Sequence, residues 1–223
     1  MSKTKLKILF YLLLTGAILL MLFKIASATL LEDVIGTSGQ TLRYNGTIWV
    51  AVNNLYNNGT NIGIGTTAPS KELEVAGTAK ITGDLEVGGK FNASGADLAE
   101  EFSSIDDIEE GTVVIMGDGD YKSVKPCDIA YDEKIIGVVS DNASIIMGRL
   151  KNNNKEVIAI SGVVAVKATN KNGNIEKGDL LTSSDISGRA MRASEERAGT
   201  VVGKALEDCD KKYCEIKAII NLQ

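Results

Sequence analysis

Short runs in which apolar and polar residues alternate dominate this chain, and alternation of this kind predicts β-strands rather than helices. The most regular run lies at residues 73–96, where a six-residue unit repeats four times. In each unit the first and third positions are apolar and the fifth is glycine. This pattern predicts a half-buried strand with a bend at each glycine. We call its apolar positions the apolar stripe: Leu73, Val75, Ala79, Ile81, Leu85, Val87, Phe91 and Ala93.

Four units are too few for one chain to bury the apolar stripe by itself, because a β-solenoid needs several stacked coils. Three chains related by a three-fold axis can cover it by turning their stripes inward. We therefore interpret residues 71–96 as a short hexapeptide β-stalk built between chains. The alternative is an ordinary pair of strands packed on the C-terminal domain.

Residues 29–70 form a segment rich in asparagine and glycine, in which turn signals separate strand-like pieces. Asn45-Gly46 lies between the runs 41–44 and 48–52, and an Asn-Gly pair in this setting is the strongest short-range signal for a hairpin. Asn58-Gly59 precedes a third piece at 61–66. We expect β-hairpins here.

Residues 97–223 are interpreted as one compact β domain with an internal duplication. Gly111 and Gly178 each lie in an acidic turn before an apolar run, and their spacing (178 − 111 = 67) recurs in the runs that follow. A long apolar run at 156–167 joins the two copies, and Gly162 within it predicts a kink. The segment from Ala96 to Phe102 is the best candidate for a short helical turn.

Together these runs predict an all-β protein, a short stalk followed by a head of duplicated β-modules. The domain boundaries that we predict are a signal peptide or N-terminal anchor at 1–28, the hairpin segment at 29–70, the stalk at 71–96 and the head at 97–223.

The N-terminus carries the pattern of an export signal. Lys3, Lys5 and Lys7 precede an apolar run from Ile8 to Phe23, and the small residues of 26–28 follow as a cleavage site. The run is short for a permanent membrane span. We expect cleavage before Thr29 and a secreted or cell-surface protein; the alternative is a retained anchor at residues 8–31, which is then the only contact with a membrane.

The charge balance and the residue types exclude several functions. Lys+Arg total 24 against Asp+Glu 29, with no basic cluster next to aromatic residues, so a nucleic-acid partner is not expected. The absence of histidine (His 0) excludes Ser-His and Cys-His nucleophile pairs. No phosphate-binding loop is present, and we predict no cofactor and no metal. Asp118-Gly119-Asp120 lacks the later ligands of a calcium loop and is interpreted as a solvated turn.

Cys209 and Cys214 lie between two strand-like runs, 201–206 and 215–220. Two such runs around a four-residue polar turn predict a hairpin whose cysteines face each other at a separation that suits a disulfide. Two free thiols are the alternative. Cys127 is expected to stay unpaired.

Self-cleavage is the one enzymatic hypothesis with a physical basis. It needs a hydroxyl or thiol beside a strained peptide bond and a carboxylate that moves protons. Ser94, with Asp97 and Glu100 close by in sequence, lies where the stalk meets the head. A flexible linker is the alternative interpretation of these residues. Four sites match the N-glycosylation pattern, which matters only in a host that glycosylates exported proteins: Asn45, Asn58, Asn92 and Asn142.

Several of these segments resemble a known class of proteins. Gly39–Gly46, Asn61–Pro69 and the first repeat unit look like stalk segments of phage tail fibres and related surface proteins. Gly95–Phe102 resembles the start of the intramolecular-chaperone autoprocessing domain of phage appendage proteins, and Gly178–Leu181 continues that similarity. The resemblance implies a homotrimeric fibre whose C-terminal domain guides assembly and, in some members, releases itself by cleavage.

Two features depart from that class. The export signal points to a cellular surface or secreted protein built from the same modules, and the stalk is very short. Our leading hypothesis is a structural or adhesive fibre-like protein that acts by trimeric assembly and presents its head to an extracellular surface or glycan. The alternatives are a self-processing assembly domain and a monomeric secreted binding module.

Overall fold

A computed structural model of the chain describes residues 14–15, 36–151 and 154–222. These residues form strands and loops with almost no helix, so the predicted all-β class is confirmed. They belong to two compact units, Met1–Glu86 and Val87–Gln223. The predicted signal segment lies outside the described residues apart from Leu14 and Thr15. Within the described ranges, no helix is long and apolar enough to cross a membrane.

The first unit contains a four-stranded sheet in the order β1-β2-β3-β4. Both predicted Asn-Gly turns are present: the Oδ1 atom of Asn45 accepts hydrogen bonds from the backbone nitrogens of Thr47 and Ile48, at 3.0 Å each, and Asn58 makes an equivalent pair before β3. The first three strands run antiparallel, and β4 runs parallel to β3. The strands are β1 (Gln40–Tyr44), β2 (Trp49–Asn57), β3 (Ile62–Ile64) and β4 (Leu73–Val75).

The repeat segment does not form the predicted strands beyond β4. Residues 76–96 contain no strand, and every residue from Ala76 to Ser94 is exposed. A strand needs a neighbouring backbone to pair its N–H and C=O groups, and no described part of the chain supplies one here. The predictions of a half-buried strand and of a strand pair packed on the C-terminal domain are therefore wrong for residues 76–96 of the single chain.

The second unit is built around one long strand. The main path through its sheet runs β12-β11-β13-β14-β10-β8-β6-β7, and β5 pairs with both β10 and β9. The strands are β5 (Asp97–Ser103), β6 (Val113–Met116), β7 (Val124–Pro126), β8 (Ile135–Val139), β9 (Ile145–Met147), β10 (Lys155–Ala168), β11 (Leu180–Ser183), β12 (Ala190–Arg192), β13 (Val201–Ala205) and β14 (Cys214–Asn221).

Strand pairing confirms the predicted duplication. In the first copy β6 pairs antiparallel with β7 and β8, and in the second β11 pairs antiparallel with β12 and β13. Each copy has a register shift at the same place, after Val114 and after Leu181 (181 − 114 = 67). The turns match as well: Thr112 N donates to Glu109 O at 3.3 Å, and Asp179 N donates to Glu176 O at 2.9 Å.

The duplication extends further than the sequence indicated, because β10 belongs to both copies. Its residues 155–162 pair with β5, and its residues 161–168 pair with β14. We therefore divide the head into a first module, residues 97–161, and a second module, residues 162–222. The first strand of each module ends in a parallel bridge to the second strand of the hairpin region, or to the residue before it. Ser103 bridges Ser123, next to β7, and Ala168 bridges Ala190 of β12.

Gly162 stands at the boundary between the modules. Its φ of +118° favours glycine, and a Cβ atom there would lie 2.5 Å from the Cα of Asp97. The two backbones can approach this closely only without a side chain at position 162. The main hydrophobic core continues across this boundary, with Val113, Ile115 and Val138 from the first module and Leu181 and Val202 from the second. The two modules therefore form a single domain.

The segment expected to hold a short helical turn is a strand instead. β5 lies between β10 and β9, where both of its edges find hydrogen-bonding partners. Asp97, Ala99 and Glu101 are buried, while Leu98 and Glu100 are partly exposed, as alternation in a strand requires. Pairing with strands that are distant in sequence decided this conformation.

The cysteines are joined as Cys209–Cys214, with the Cα atoms 6.2 Å apart. The loop of the hairpin that contains them is longer than the predicted four residues, because β13 already ends at Ala205, which pairs with Ala218. Cys209 therefore lies in the connecting loop. Its backbone forms an isolated β-bridge with Ile175 of the second module, whereas its side chain forms the disulfide with Cys214. Cys127 is free and fully buried, and burial raises the pKa of its thiol to about 11.

We expect the folded, unreduced protein to show no thiol that reacts at pH 8 and the unfolded, unreduced protein to show one per chain. Folding buries Cys127 and keeps it protonated, and the disulfide survives denaturant. Thiol titration with and without denaturant measures both values. Changing Cys209 and Cys214 together to serine should lower the free energy of unfolding by about 2 kcal/mol. Three reactive thiols after unfolding would contradict the pairing.

Candidate functional site

The apolar stripe is exposed in the single chain. Leu73, Ile81, Leu85 and Phe91 each keep more than half of their side-chain surface in contact with solvent, up to 63% for Leu85. Soluble monomers rarely leave a continuous series of large apolar side chains uncovered. The stripe therefore has the character of an interaction surface.

The sheet of the first unit exposes further apolar side chains. The rings of Tyr44 and Trp49, which face each other across the first hairpin, have centroids 5.5 Å apart. Their side chains remain about half exposed. Large apolar residues on this sheet or its turns that are exposed are Leu42, Tyr44, Ile48, Trp49, Leu55, Ile62 and Ile64. Four short strands without a covering layer bury little of their apolar surface, so the described residues of this unit contain no apolar core.

The structure does not bring the three predicted cleavage residues together. Ser94 is exposed before β5 begins. Asp97 and Glu100 are three residues apart in one strand, so their side chains leave opposite faces. Glu100 forms an ion pair with Lys122, at 2.6 Å. Only Asp97 is buried, at 6% exposure.

Asp97 lies instead in a small cleft with residues that the sequence analysis did not connect with cleavage. We call it the acidic cleft; it has a volume of about 180 Å³, and its polar lining is Asp97, Glu110, Ser140, Asp141, Asn142 and Lys217. Its main chain is held firmly: Ala96 O accepts a hydrogen bond from Val163 N at 3.2 Å, and Asp97 O accepts one from Ser144 N at 2.9 Å. The first residues of the head are thus fixed to both β10 and the loop before β9.

Two carboxyl groups of the acidic cleft, those of Asp97 and Glu110, have a raised pKa. Burial raises the pKa of Asp97, against a hydrogen bond from Ser140 that lowers it, and the charge of Asp141 raises it further. Loss of surrounding water and a hydrogen bond with Asp141 raise the pKa of Glu110. The Oδ2 atom of Asp97 has no hydrogen-bond partner among the described residues. A buried carboxyl group of this kind can donate or accept a proton close to the Ala96–Asp97 peptide bond.

The remaining predicted sites are placed as follows. Asn45, Asn58, Asn92 and Asn142 are all exposed. Asp118 of the predicted solvated turn pairs with Lys125 at 3.0 Å. Across the described residues, no three acidic or sulfur-bearing side chains are arranged to hold a metal ion.

We expect Asp97→Asn to raise the free energy of unfolding at pH 7. The folded state binds the Asp97 proton more tightly than the unfolded state, so this group stabilises the fold at low pH. That contribution is lost as pH rises through the folded pKa. Asparagine removes the cost of ionisation, and the gain should vanish near pH 3, where the aspartate is protonated in both states. Denaturant unfolding across this pH range measures it.

Asp185→Asn is the matched control, because its carboxylate pairs with Lys171 and that hydrogen bond lowers the Asp185 pKa. The Asp185 carboxylate therefore contributes to stability at neutral pH, and this contribution is lost as pH falls through the folded pKa of Asp185. The control variant should therefore be less stable than the native protein at pH 7. If Asp97→Asn instead lowers the free energy of unfolding at pH 7, the folded state stabilises the ionised Asp97 carboxylate and the prediction is wrong.

Comparison with known proteins gives distant similarities. No protein-family model matches the chain, and no curated protein sequence matches it. Among solved structures, the pre-mature gene product 12 of bacteriophage phi29 is similar with a TM-score of 0.46 and 16% identity over 68% of this chain. This chain spans 26% of that protein.

Two shorter phage structures are also similar. The C-terminal fragment of phi29 gene product 12 gives a TM-score of 0.39 and 18% identity, over 57% of this chain and all of the fragment. The N base of the phi29 head fibre gp8.5 gives 0.35 and 14% identity, over 56% of this chain and 93% of that chain. The solved structures similar to this chain thus include gene product 12 and a head fibre of phage phi29, at a distance that assigns no family.

Proposed function

We propose that this protein is a structural, fibre-like protein that acts by assembling into a homotrimer through the apolar stripe and presenting its head. The observation that carries the proposal is the exposure of the stripe, whose large side chains at 73–91 are 47–63% exposed apart from Val75. No described segment of the same chain covers them. A second molecule is the natural source of that cover.

The energy available from covering the stripe is substantial. Full burial of one large aliphatic or aromatic side chain contributes roughly 1.5–3 kcal/mol. Leu73, Ile81, Leu85, Val87 and Phe91 would each contribute in every chain. Assembly would also supply the neighbouring backbones that residues 76–96 lack, so strand formation and association would occur together.

A three-fold axis suits a stripe of this shape. The repeat places one apolar pair in each six-residue unit, which gives a narrow line rather than a broad face. Around a three-fold axis the same residue of three chains meets at one level, and a narrow line is then covered completely. Glycine at the fifth position of each six-residue unit leaves room for chains to approach each other.

The same proposal includes export from the cytoplasm. The charged and apolar pattern of residues 1–28 supports a secreted or cell-surface location, with residues 8–31 as the anchor if the segment is retained. The disulfide suits an oxidising compartment. The four exposed acceptor asparagines suit a host that glycosylates exported proteins. The head would then meet an extracellular surface or glycan.

We expect Leu85→Asp to dissociate the assembly. It would place a carboxylate from each chain at one level inside the apolar contact, where a charge without a partner is strongly unfavourable. Light scattering after size-exclusion chromatography should give the mass of three chains for the native protein and of one chain for the variant.

Thr82→Asp is the matched control, because it adds the same charge at an outward position of the neighbouring repeat unit. It should leave the mass unchanged. A native protein that elutes as a monomer, or a Leu85→Asp variant that keeps the native mass, would refute the stalk.

Self-processing is the second candidate function, and it is favoured by the buried Asp97, whose Oδ2 atom has no hydrogen-bond partner among the described residues. Its carboxyl group lies at the junction of repeat segment and head, beside the hydroxyl of Ser140, and both groups can move protons during hydrolysis of a nearby peptide bond. Ser94 is exposed two residues before the Ala96–Asp97 bond.

Intact-mass spectrometry of the purified chain, incubated at pH 5 and pH 7, tests this second function. We expect two fragments divided close to Asp97 from the native protein and a single mass from Asp97→Asn. One unbroken mass from the native protein at both pH values would exclude self-processing and leave the structural role untouched.

A further inference from the structure

The first module contains a second, larger cleft that neither proposed function uses. It lies between the loop that follows β5 and the hairpin between β6 and β7, and its volume is about 370 Å³. Ile105, Ile108, Val124 and Pro126 supply its apolar lining. Ile105 is 89% exposed, so a large apolar side chain stands uncovered at the rim. We call this the first-module cleft.

The second module has an ion pair at the corresponding place. There the loop that follows β10 carries Lys171, and the hairpin between β11 and β12 carries Asp185. The ammonium group of Lys171 donates a hydrogen bond to a carboxylate oxygen of Asp185. This ion pair joins the loop to the hairpin.

The first module cannot make the same ion pair. Asp118 corresponds to Asp185 (185 − 118 = 67), and Asp106 corresponds to Lys171 (171 − 106 = 65), because two residues are inserted later in the second loop. Both aspartates line the first-module cleft. Two carboxylates repel where the second module has an attractive pair, so the loop and the hairpin have no ionic contact to bring them together.

The charge around the first-module cleft is negative. Asp106, Asp107 and Asp118 line it, and Lys125 is the one cation among the lining residues. Three carboxylates against one ammonium leave a net charge of −2 (1 − 3 = −2). Lys125 is already paired with Asp118 at 3.0 Å, which leaves the two aspartates of the loop without a cation from the cleft.

We propose that the first-module cleft binds a cationic, partly apolar peptide segment of a partner protein. A lysine or arginine of that segment takes the place that Lys171 holds in the second module, between the loop and the hairpin. A neighbouring apolar side chain of the segment covers Ile105 and the apolar lining. The size of the cleft suits a few side chains rather than a whole domain face.

Binding of labelled peptides to the full chain tests the proposal. The probe is a short fluorescein-labelled peptide that repeats glycine, lysine and isoleucine, and the reference peptide has glutamate in place of lysine. Fluorescence anisotropy should rise with the lysine peptide and not with the glutamate peptide. Added salt should weaken the binding, because the attraction is between solvent-exposed charges.

Asp106→Lys is the decisive variant, since it rebuilds in the first module the ion pair of the second. We expect it to weaken binding of the lysine peptide by at least about tenfold, because it fills the site and repels the incoming cation. Its melting temperature should not fall, as the new ammonium can pair with Asp118. Asp106→Asn, which only removes a charge, should weaken binding less and guards against misfolding of the first variant.

Asp210→Lys is the matched control: it makes the same change of charge at an exposed position of the second module that does not line the cleft. It should bind the peptide as the native protein does. No binding by the native protein, equal binding of both peptides, or undiminished binding by Asp106→Lys would each overturn the proposal. If Asp106→Lys changes the mass in solution but leaves peptide binding unchanged, the cleft binds a second copy of this chain instead.

Discussion

The backbone hydrogen bonds of β10 are the interaction on which the head depends. Its first half pairs with β5 and β8, and its second half pairs with β14 and touches β12. One strand therefore completes the first module and begins the second. Because both modules share this strand and the core beneath it, neither can lose its pairing without exposing apolar surface of the other. Gly162 allows the change of partners at the centre of the strand.

The repeat segment differs from β10 in having no backbone partner: its residues alternate between apolar and polar, but no described strand pairs with residues 76–96. Where a strand has paired edges, as β5 has, alternation buries one face; at residues 76–94 the same kind of pattern leaves every residue exposed. The difference lies in the availability of a neighbouring backbone rather than in the residue types. The strand pairing of the head is thus complete within one chain, whereas the segment before it has no partner strand among the described residues.

The two modules share a backbone plan and differ in charge, and the differences mark where function is to be sought. Lys171 and Asp185 form an ion pair in the second module, whereas aspartates occupy both corresponding positions in the first. Glu110 meets Asp141 in the acidic cleft, whereas the corresponding Lys177 (177 − 110 = 67) donates its backbone N–H to Asp208. The first module has an acidic, partly apolar cleft where the second has the Lys171–Asp185 ion pair, and the acidic cleft lies where the two modules meet.

Much of the fold could be predicted from local pattern alone. The all-β class, the hairpins at Asn45 and Asn58 and the spacing of the duplication all follow from residues close in sequence, which set turn geometry and strand period. Of the acidic cleft, only Asp97 was foreseen. Ser140 lies 43 residues away (140 − 97 = 43), and no motif joins it to Asp97. Long-range register decided that meeting, the strand at Ala96–Phe102 and the place of Cys209, because backbone pairing between distant segments outweighs local preference.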